Sequence, residues 1–262
     1  MMTLHPIPAF SDNYIWCLHD GKTAYVVDPG EAGPVQSYLE QHALSLSGIL
    51  ITHHHWDHVS GIETLVAAFP NIPVWGPANE TIPARTLSLS QNQTIELTFA
   101  TDTVTFDVFD VPGHTAGHIA FYAKQSPVGP LLFCGDTLFS AGCGRLFEGT
   151  AEQMFESLNQ LKALPDNTKV CCTHEYTSAN LSFALAVEPQ NASIQEHIAQ
   201  VNALRAKDQP SLPSSIGQEK RINPFLRAGE TDVWETLAAN CGQRPTSEVD
   251  SFAKLRAWKD SF

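Results

Sequence analysis

Short apolar runs of strand length alternate with turns over the first two thirds of the chain. Residues 47–51 form one such run, residues 103–109 alternate apolar and polar positions, and residues 131–135 and 169–173 are continuous apolar runs of the kind that fill a buried strand. Between them, residues 61–69 carry a helical apolar pattern, and Thr150-Ala151-Glu152-Gln153 is a capping box opening a helix that carries Phe155, Leu158 and Leu161. After residue 173 the strand signals fade. Ser193-Ile194-Gln195-Glu196 is a second expected capping box, with Ile194, Ile198 and Val201 on one helix face to about residue 207. Residues 209–215 are expected to form a loop, and helical patterns return near 230–240 and 247–259. The expected organisation is a strand-rich domain, residues 1–173, followed by a helical domain, residues 174–262.

The run Thr52-His53-His54-His55-Trp56-Asp57-His58 follows the first strand directly. Neutral imidazoles and carboxylates are the donors that first-row metals such as zinc and iron take up, and this run holds more of them than one ion needs. In extended backbone His53 and His55 point the same way and His54 the other. Asp57 and His58 fall where the helical pattern begins, which turns them toward a neighbouring point, so the segment offers parts of two sites.

Three later residues have matching chemistry and context. His114 follows the alternating strand, Asp136 follows residues 131–135, and His174 follows residues 169–173. Each lies just past the end of an apolar strand, where sheets present functional loops.

With Asp and Glu outnumbering Lys and Arg by 28 to 15, the chain is a poor partner for nucleic acid. No apolar run is long enough for a membrane span and no signal core is visible, so no membrane partner is expected. Cys17, Cys134, Cys143, Cys171, Cys172 and Cys241 form no C-x-x-C pair and fall mostly within apparent strands, which predicts buried thiols and a cytoplasmic setting.

H-x-H-x-D-H followed by a later His, an Asp and a last His resembles the metallo-β-lactamase superfamily. The resemblance implies an α/β fold of the α+β kind, an αββα sandwich of two mixed sheets faced by helices, here with the helical C-terminal domain. It implies one divalent cation on His53, His55 and His114, a second on Asp57, His58 and His174, and Asp136 bridging them, with zinc first and iron or manganese as alternatives. Further segments are similar to the glyoxalase II (hydroxyacylglutathione hydrolase) family: the glycine-rich loop 140–150, Thr173-His174-Glu175-Tyr176-Thr177, Ile222-Asn223-Pro224-Phe225-Leu226-Arg227 and Arg256-Ala257-Trp258-Lys259-Asp260. The family implies hydrolysis of a glutathione thioester by a water shared between two cations, with Asp57 and Asp136 as the carboxylates of the catalytic group. It places Arg145, Phe147, Tyr176, Arg256 and Lys259 around the glutathione moiety; a monomer is expected. Phe147 stands where some members carry a tyrosine, so that position offers packing without a hydroxyl. A persulfide dioxygenase of the same superfamily would be an iron oxygenase using mainly the first site, whereas the Arg145 loop and the Arg256/Lys259 tail favour the hydrolase. A lactonase or β-lactamase would share the metal donors but not need the C-terminal basic pair. A nucleic-acid-processing member would need a basic surface. His118 is expected either to orient a ligand or to make a structural hydrogen bond, and His5, His19, His42 and His197 to be structural or solvated.

Overall fold

The N-terminal hairpin, β1 (Thr3–Ala9) and β2 (Asn13–His19), turns at Phe10-Ser11-Asp12 and starts the first sheet. A computed structural model describes all 262 residues apart from the side chain of Cys241, which lies outside the described side chains. It divides into two units, residues 1–110, 115–135 and 171–174 in one, and 111–114, 136–170 and 175–262 in the other.

In the first unit the hairpin continues through β3 (Thr23–Val27), α1 (Ala32–Gln41), β4 (Ser45–Leu50), α2 (Trp56–Val59), α3 (Ile62–Ala68), β5 (Val74–Pro77) and β6 (Leu87–Leu89). The six strands form one mixed sheet in chain order, antiparallel from β1 to β3 and parallel from β3 to β6. β2 is buried at every position, so its two faces serve two partners. Ile15 and Cys17 join Ala24 and Val26 of β3 in an apolar cluster with Val35 and Leu39 of α1 and Ile62 and Leu65 of α3. The opposite face carries Trp16, whose indole N–H donates to the carbonyl of Cys172 at 3.0 Å, and Tyr25, whose hydroxyl donates to the carbonyl of Thr98 at 3.0 Å. Both acceptors belong to the second layer, so the sheet carries helices on one side and strands on the other. That layer contains β7 (Thr94–Thr98), β8 (Thr103–Asp110), β9 (Ile119–Ala123) and β10 (Leu131–Gly135), antiparallel in sequence. The alternation expected at 103–109 is borne out, with Val104, Phe106 and Val108 buried and Thr103 and Thr105 exposed.

The second unit begins its regular structure with the short hairpin β11 (Leu138–Phe139) and β12 (Gly142–Cys143), then α4 (Ala151–Lys162). Both halves of the Thr150/Gln153 capping box are present. β13 (Lys169–Cys172) straddles the division. Its Lys169 and Val170 pair with β14 (Ser214–Ser215), and the later residues belong to the first unit. The remaining helices are α5 (Thr177–Val187), α6 (Ala192–Arg205), α7 (Ile216–Ile222), α8 (Thr231–Cys241) and α9 (Glu248–Ser261). The expected Ser193 capping box is not formed. Asn191 caps α6 instead, its side chain accepting from the N–H of Ser193 at 3.0 Å, because an Asx residue two positions earlier reaches the free N–H groups first. The expected loop at 209–215 holds except for Ser214 and Ser215, which pair with β13. Among the described residues no helix is long and apolar enough to cross a membrane. Five cysteines are buried thiols, as expected.

Inside the second unit a buried carboxylate ties α7 to the glycine-rich loop. Glu219 accepts from the N–H of Ala141 at 2.7 Å, from Asn223 Nδ2 at 3.0 Å and from the Ser214 hydroxyl. Asn223 in turn donates to the carbonyls of Phe139 at 3.1 Å and Gly142 at 2.9 Å. Burial holds the Glu219 carboxyl above the ordinary carboxylate pKa. Between those two values the unfolded chain has lost a proton that the native state keeps, so this group makes stability fall as pH rises across that window. Urea unfolding of Glu219→Gln should lose that slope, and Glu219→Ala, which strands the three donors, should cost about 2–4 kcal/mol. A flat wild-type profile in that window would contradict the raised pKa.

Candidate metal centre

The H-x-H-x-D-H run is placed by a buried acid at the end of the neighbouring strand. Asp28, just past β3, accepts from the N–H of Thr52 at 2.8 Å and from its hydroxyl at 2.7 Å, which fixes the backbone where β4 ends. His55 then caps α2, and Asp57 and His58 lie in its single turn. Gly30 is required here, since a Cβ at that position would stand 1.9 Å from the carbonyl oxygen of Asp57.

Donor atoms of Asp57, His58 and His174 lie within 4.8 Å of one another. His58 Nε2 is 3.7 Å and His174 Nε2 is 3.5 Å from the same oxygen, Asp57 Oδ2. The other ring nitrogens are held from behind, His58 Nδ1 by Asp28 at 3.1 Å and His174 Nδ1 by Asp12 at 2.7 Å. An Nδ1–H given to a carboxylate leaves Nε2 with its lone pair, the tautomer that a metal needs. His53 Nε2 and His55 Nδ1 also converge, 3.1 Å apart, with the Thr52 hydroxyl 3.1 Å from His53 Nδ1. Ligands at zinc bond lengths around a tetrahedron are about 3.3–3.4 Å apart. The donor spacings therefore fit divalent cations. His54 sets Nδ1 3.0 Å from the buried carboxylate of Glu80, with its ring centre 5.1 Å from that of His55. His118 is fully buried and stacked on His53 at 4.5 Å, so its ring helps fix that donor.

The second unit presents His114 and Asp136 in the same manner. His114 Nε2 is 3.4 Å from Asp136 Oδ2, and its Nδ1 is 2.9 Å from the carbonyl of Arg145. The glycine-rich loop supplies that carbonyl. Gly144 lets it pass, because a Cβ there would meet the Asp136 carbonyl oxygen at 1.9 Å. Phe147 is exposed and sets its ring edge-on to His114 at 5.3 Å, and Tyr176, partly exposed, is edge-on to Phe139 at 5.4 Å. Arg145 is well exposed, with Nε 3.8 Å from Asp260. Arg256 is buried, donating to the carbonyl of Cys143 and to Asp260, both at 2.9 Å, with its guanidinium 5.1 Å from the centre of Phe225. Lys259 lies 5.2 Å from the centre of Phe183 and 3.3 Å from the carbonyl of Ala179. Burial, and then the charges of Arg256 and Arg145, push its pKa below the ordinary lysine value.

Four polar residues at the ligands escaped the sequence reading: Asp12, Asn13, Asp28 and Glu80. Asn13 Nδ2 donates to Asp57 Oδ2 at 3.1 Å, and Glu80 holds Gly117 N at 3.1 Å as well as His54. Asp28 carries the signal that singled out Asp136, an acid just past an apolar strand. Asp12 ends a hairpin turn and Asn13 opens the strand after it, where such residues are common for turn geometry alone.

Residues 10–174 match the metallo-β-lactamase superfamily, and residues 175–262 match the hydroxyacylglutathione hydrolase C-terminus. The chain is 51% identical over 268 residues to the hydroxyacylglutathione hydrolase of Cupriavidus taiwanensis and 52% identical over 265 residues to that of Pseudomonas fluorescens, covering 100% of both chains in each case. Among solved structures, the BLEG-1 B3 metallo-β-lactamase superposes with a TM-score of 0.60 at 25% identity, over 86% of this chain and 99% of the other. The expected fold is thereby borne out, and the chain belongs to the hydroxyacylglutathione hydrolase family of the metallo-β-lactamase superfamily.

Proposed function

We propose that the chain hydrolyses S-(2-hydroxyacyl)glutathione thioesters, releasing glutathione and a 2-hydroxy acid, with S-D-lactoylglutathione going to D-lactate in methylglyoxal detoxification. Two divalent cations would be held by His53, His55 and His114 and by Asp57, His58 and His174, with Asp136 shared, and zinc is the proposed metal. The observation that carries this reading is the set of imidazoles whose Nδ1 atoms are already committed, to Asp28, Asp12 and the Arg145 carbonyl, while each Nε2 faces a carboxylate. Cations bound there would polarise the thioester carbonyl and bring the pKa of a water toward neutrality. Asp57 and Asp136 supply the anionic donors. The departing thiolate belongs to a thiol with an ordinary pKa of about 8.5, so it leaves without a strong acid, and no nucleophilic side chain is required.

The 174–262 domain is proposed to bind the glutathione end. Arg145, Lys259 and Tyr176 would meet the glycine carboxylate, and Phe147 would pack against the tripeptide. Arg256 would act from underneath, because its two hydrogen bonds hold the Cys143 carbonyl and Asp260, and Asp260 faces Arg145. The buried thiols support a reducing, cytoplasmic setting.

Purified protein should contain about two ions per chain, and chelation should abolish release of free thiol from S-D-lactoylglutathione. Asp136→Ala should lose more metal and activity than His54→Ala, whose imidazole is turned to Glu80. Full activity with a single ion would overturn the two-metal form, and preferred turnover of a lactone or a persulfide would overturn the substrate.

Arg145→Ala and Lys259→Ala should raise KM, each losing about 1–2 kcal/mol of binding, with kcat little changed. Because the Lys259 pKa is lowered, its cation is lost at a lower pH than a free lysine's. KM should therefore climb as pH rises through that lowered value, and Lys259→Arg should flatten the climb. Arg256→Ala should in addition reduce unfolding stability by about 2–4 kcal/mol, since it strands a buried carbonyl. An unchanged KM in all three variants would remove the helical domain from substrate binding.

A further inference from the structure

The turn that joins β1 to β2 reaches the donor cluster at several points within five residues. Asp12 Oδ1 lies 2.7 Å from His174 Nδ1. Asn13 Nδ2 donates to Asp57 Oδ2 at 3.1 Å and to the Asp57 carbonyl at 3.4 Å. Asn13 forms an isolated antiparallel bridge with His174, and the N–H of Tyr14 donates to the carbonyl of Thr173 at 2.6 Å. Phe10 sets its ring edge-on to Trp56, between His55 and Asp57, at 4.9 Å. To do so Phe10 adopts φ 48°, a left-handed conformation strained for a residue with a side chain, held by its N–H donating to Glu31 at 2.5 Å.

We infer that Asn13 and Asp12 are positioning residues that set the second cation's ligands, an inference that rests on the two-cation reading above. A carboxylate rotates about its Cβ–Cγ bond, so Asp57 has two interchangeable oxygens until something chooses between them. The oxygen that accepts from Asn13 is the one 3.5 Å from His174 Nε2 and 3.7 Å from His58 Nε2. The Asn13 amide therefore selects the ligating oxygen. Asp12 does the corresponding work on His174, accepting a hydrogen bond from Nδ1–H and so turning the Nε2 lone pair toward that oxygen. His58, the third donor, is set by Asp28. Two donors that lie far apart in sequence are thus aligned by adjacent residues of one turn, and none of these contacts touches His53 or His55.

The test is competition of zinc against a chromophoric chelator on the metal-free full chain, for wild type, Asn13→Ala and Asp12→Asn, with thermal unfolding of each metal-free protein. Wild type should bind in two steps. Each variant should weaken one step about 10–100-fold, the range typical of groups that orient metal ligands, leaving the other step and the metal-free melting temperature unchanged. In an Asp57→Ala background Asn13→Ala should have no further effect on binding, since the oxygen it selects is gone. Asp12→Glu, which keeps a carboxylate acceptor, should recover part of the Asp12→Asn loss. Unchanged constants in both variants would overturn the inference, as would equal losses at both steps with a lower metal-free melting temperature, which is the signature of a turn that only folds the hairpin. If wild type itself binds a single ion, the two-cation reading fails first and this inference fails with it.

Discussion

An imidazole that ligates through one nitrogen must give the proton on the other to an acceptor, and much of the first unit's architecture around its centre follows from finding those acceptors. Asp28 serves His58 and Asp12 serves His174, and both sit at strand ends or turns. A strand end is where backbone stops pairing and a side chain can be aimed. Asp28 meets a further demand by fixing Thr52 through two hydrogen bonds, so one buried acid sets both the start of the ligand run and its last histidine.

The second unit solves a different problem with similar chemistry. A glycine-rich loop has little side-chain packing of its own, so its shape must come from hydrogen bonds to its backbone. Glu219 and Asn223 provide them to Phe139, Ala141 and Gly142, and Arg256 provides one to Cys143. Two motifs far apart in the chain, residues 222–227 and residues 256–260, thereby converge, with Glu219, on a single stretch of about five residues that ends next to Arg145. Their recurrence as sequence signatures reflects this shared task, because each supplies donors or acceptors that no apolar side chain could replace.

What the sequence disclosed follows from how each feature advertises itself. Candidate metal donors at the ends of apolar strands were visible because the strand and the donor lie side by side, and the Thr150 cap because its two partners are three residues apart. α5 was missed because Leu181, Phe183, Ala184 and Val187 bury it on more than one side, which erases the period by which a helix shows itself. Asp12 and Asn13 were missed because their partners are 162 and 44 residues away. Arg256 was legible as an important residue, yet its burial beneath the loop depends on tertiary contacts that spacing does not encode.

The buried thiols bear on what such a protein can safely handle. Burial pushes the Cys17 thiol up to about 12 and Cys143 up to about 11, the latter despite the Arg256 guanidinium beside it. Only a thiolate attacks a thioester or exchanges with a disulfide, and at these values almost none exists near neutral pH. A protein bathed in activated acyl groups and in the thiol they release would otherwise become its own acceptor. Withdrawing these sulfurs into the core protects them from self-acylation and from mixed disulfides with glutathione, so the packing that stabilises the fold also keeps it chemically silent toward the compounds it is proposed to process.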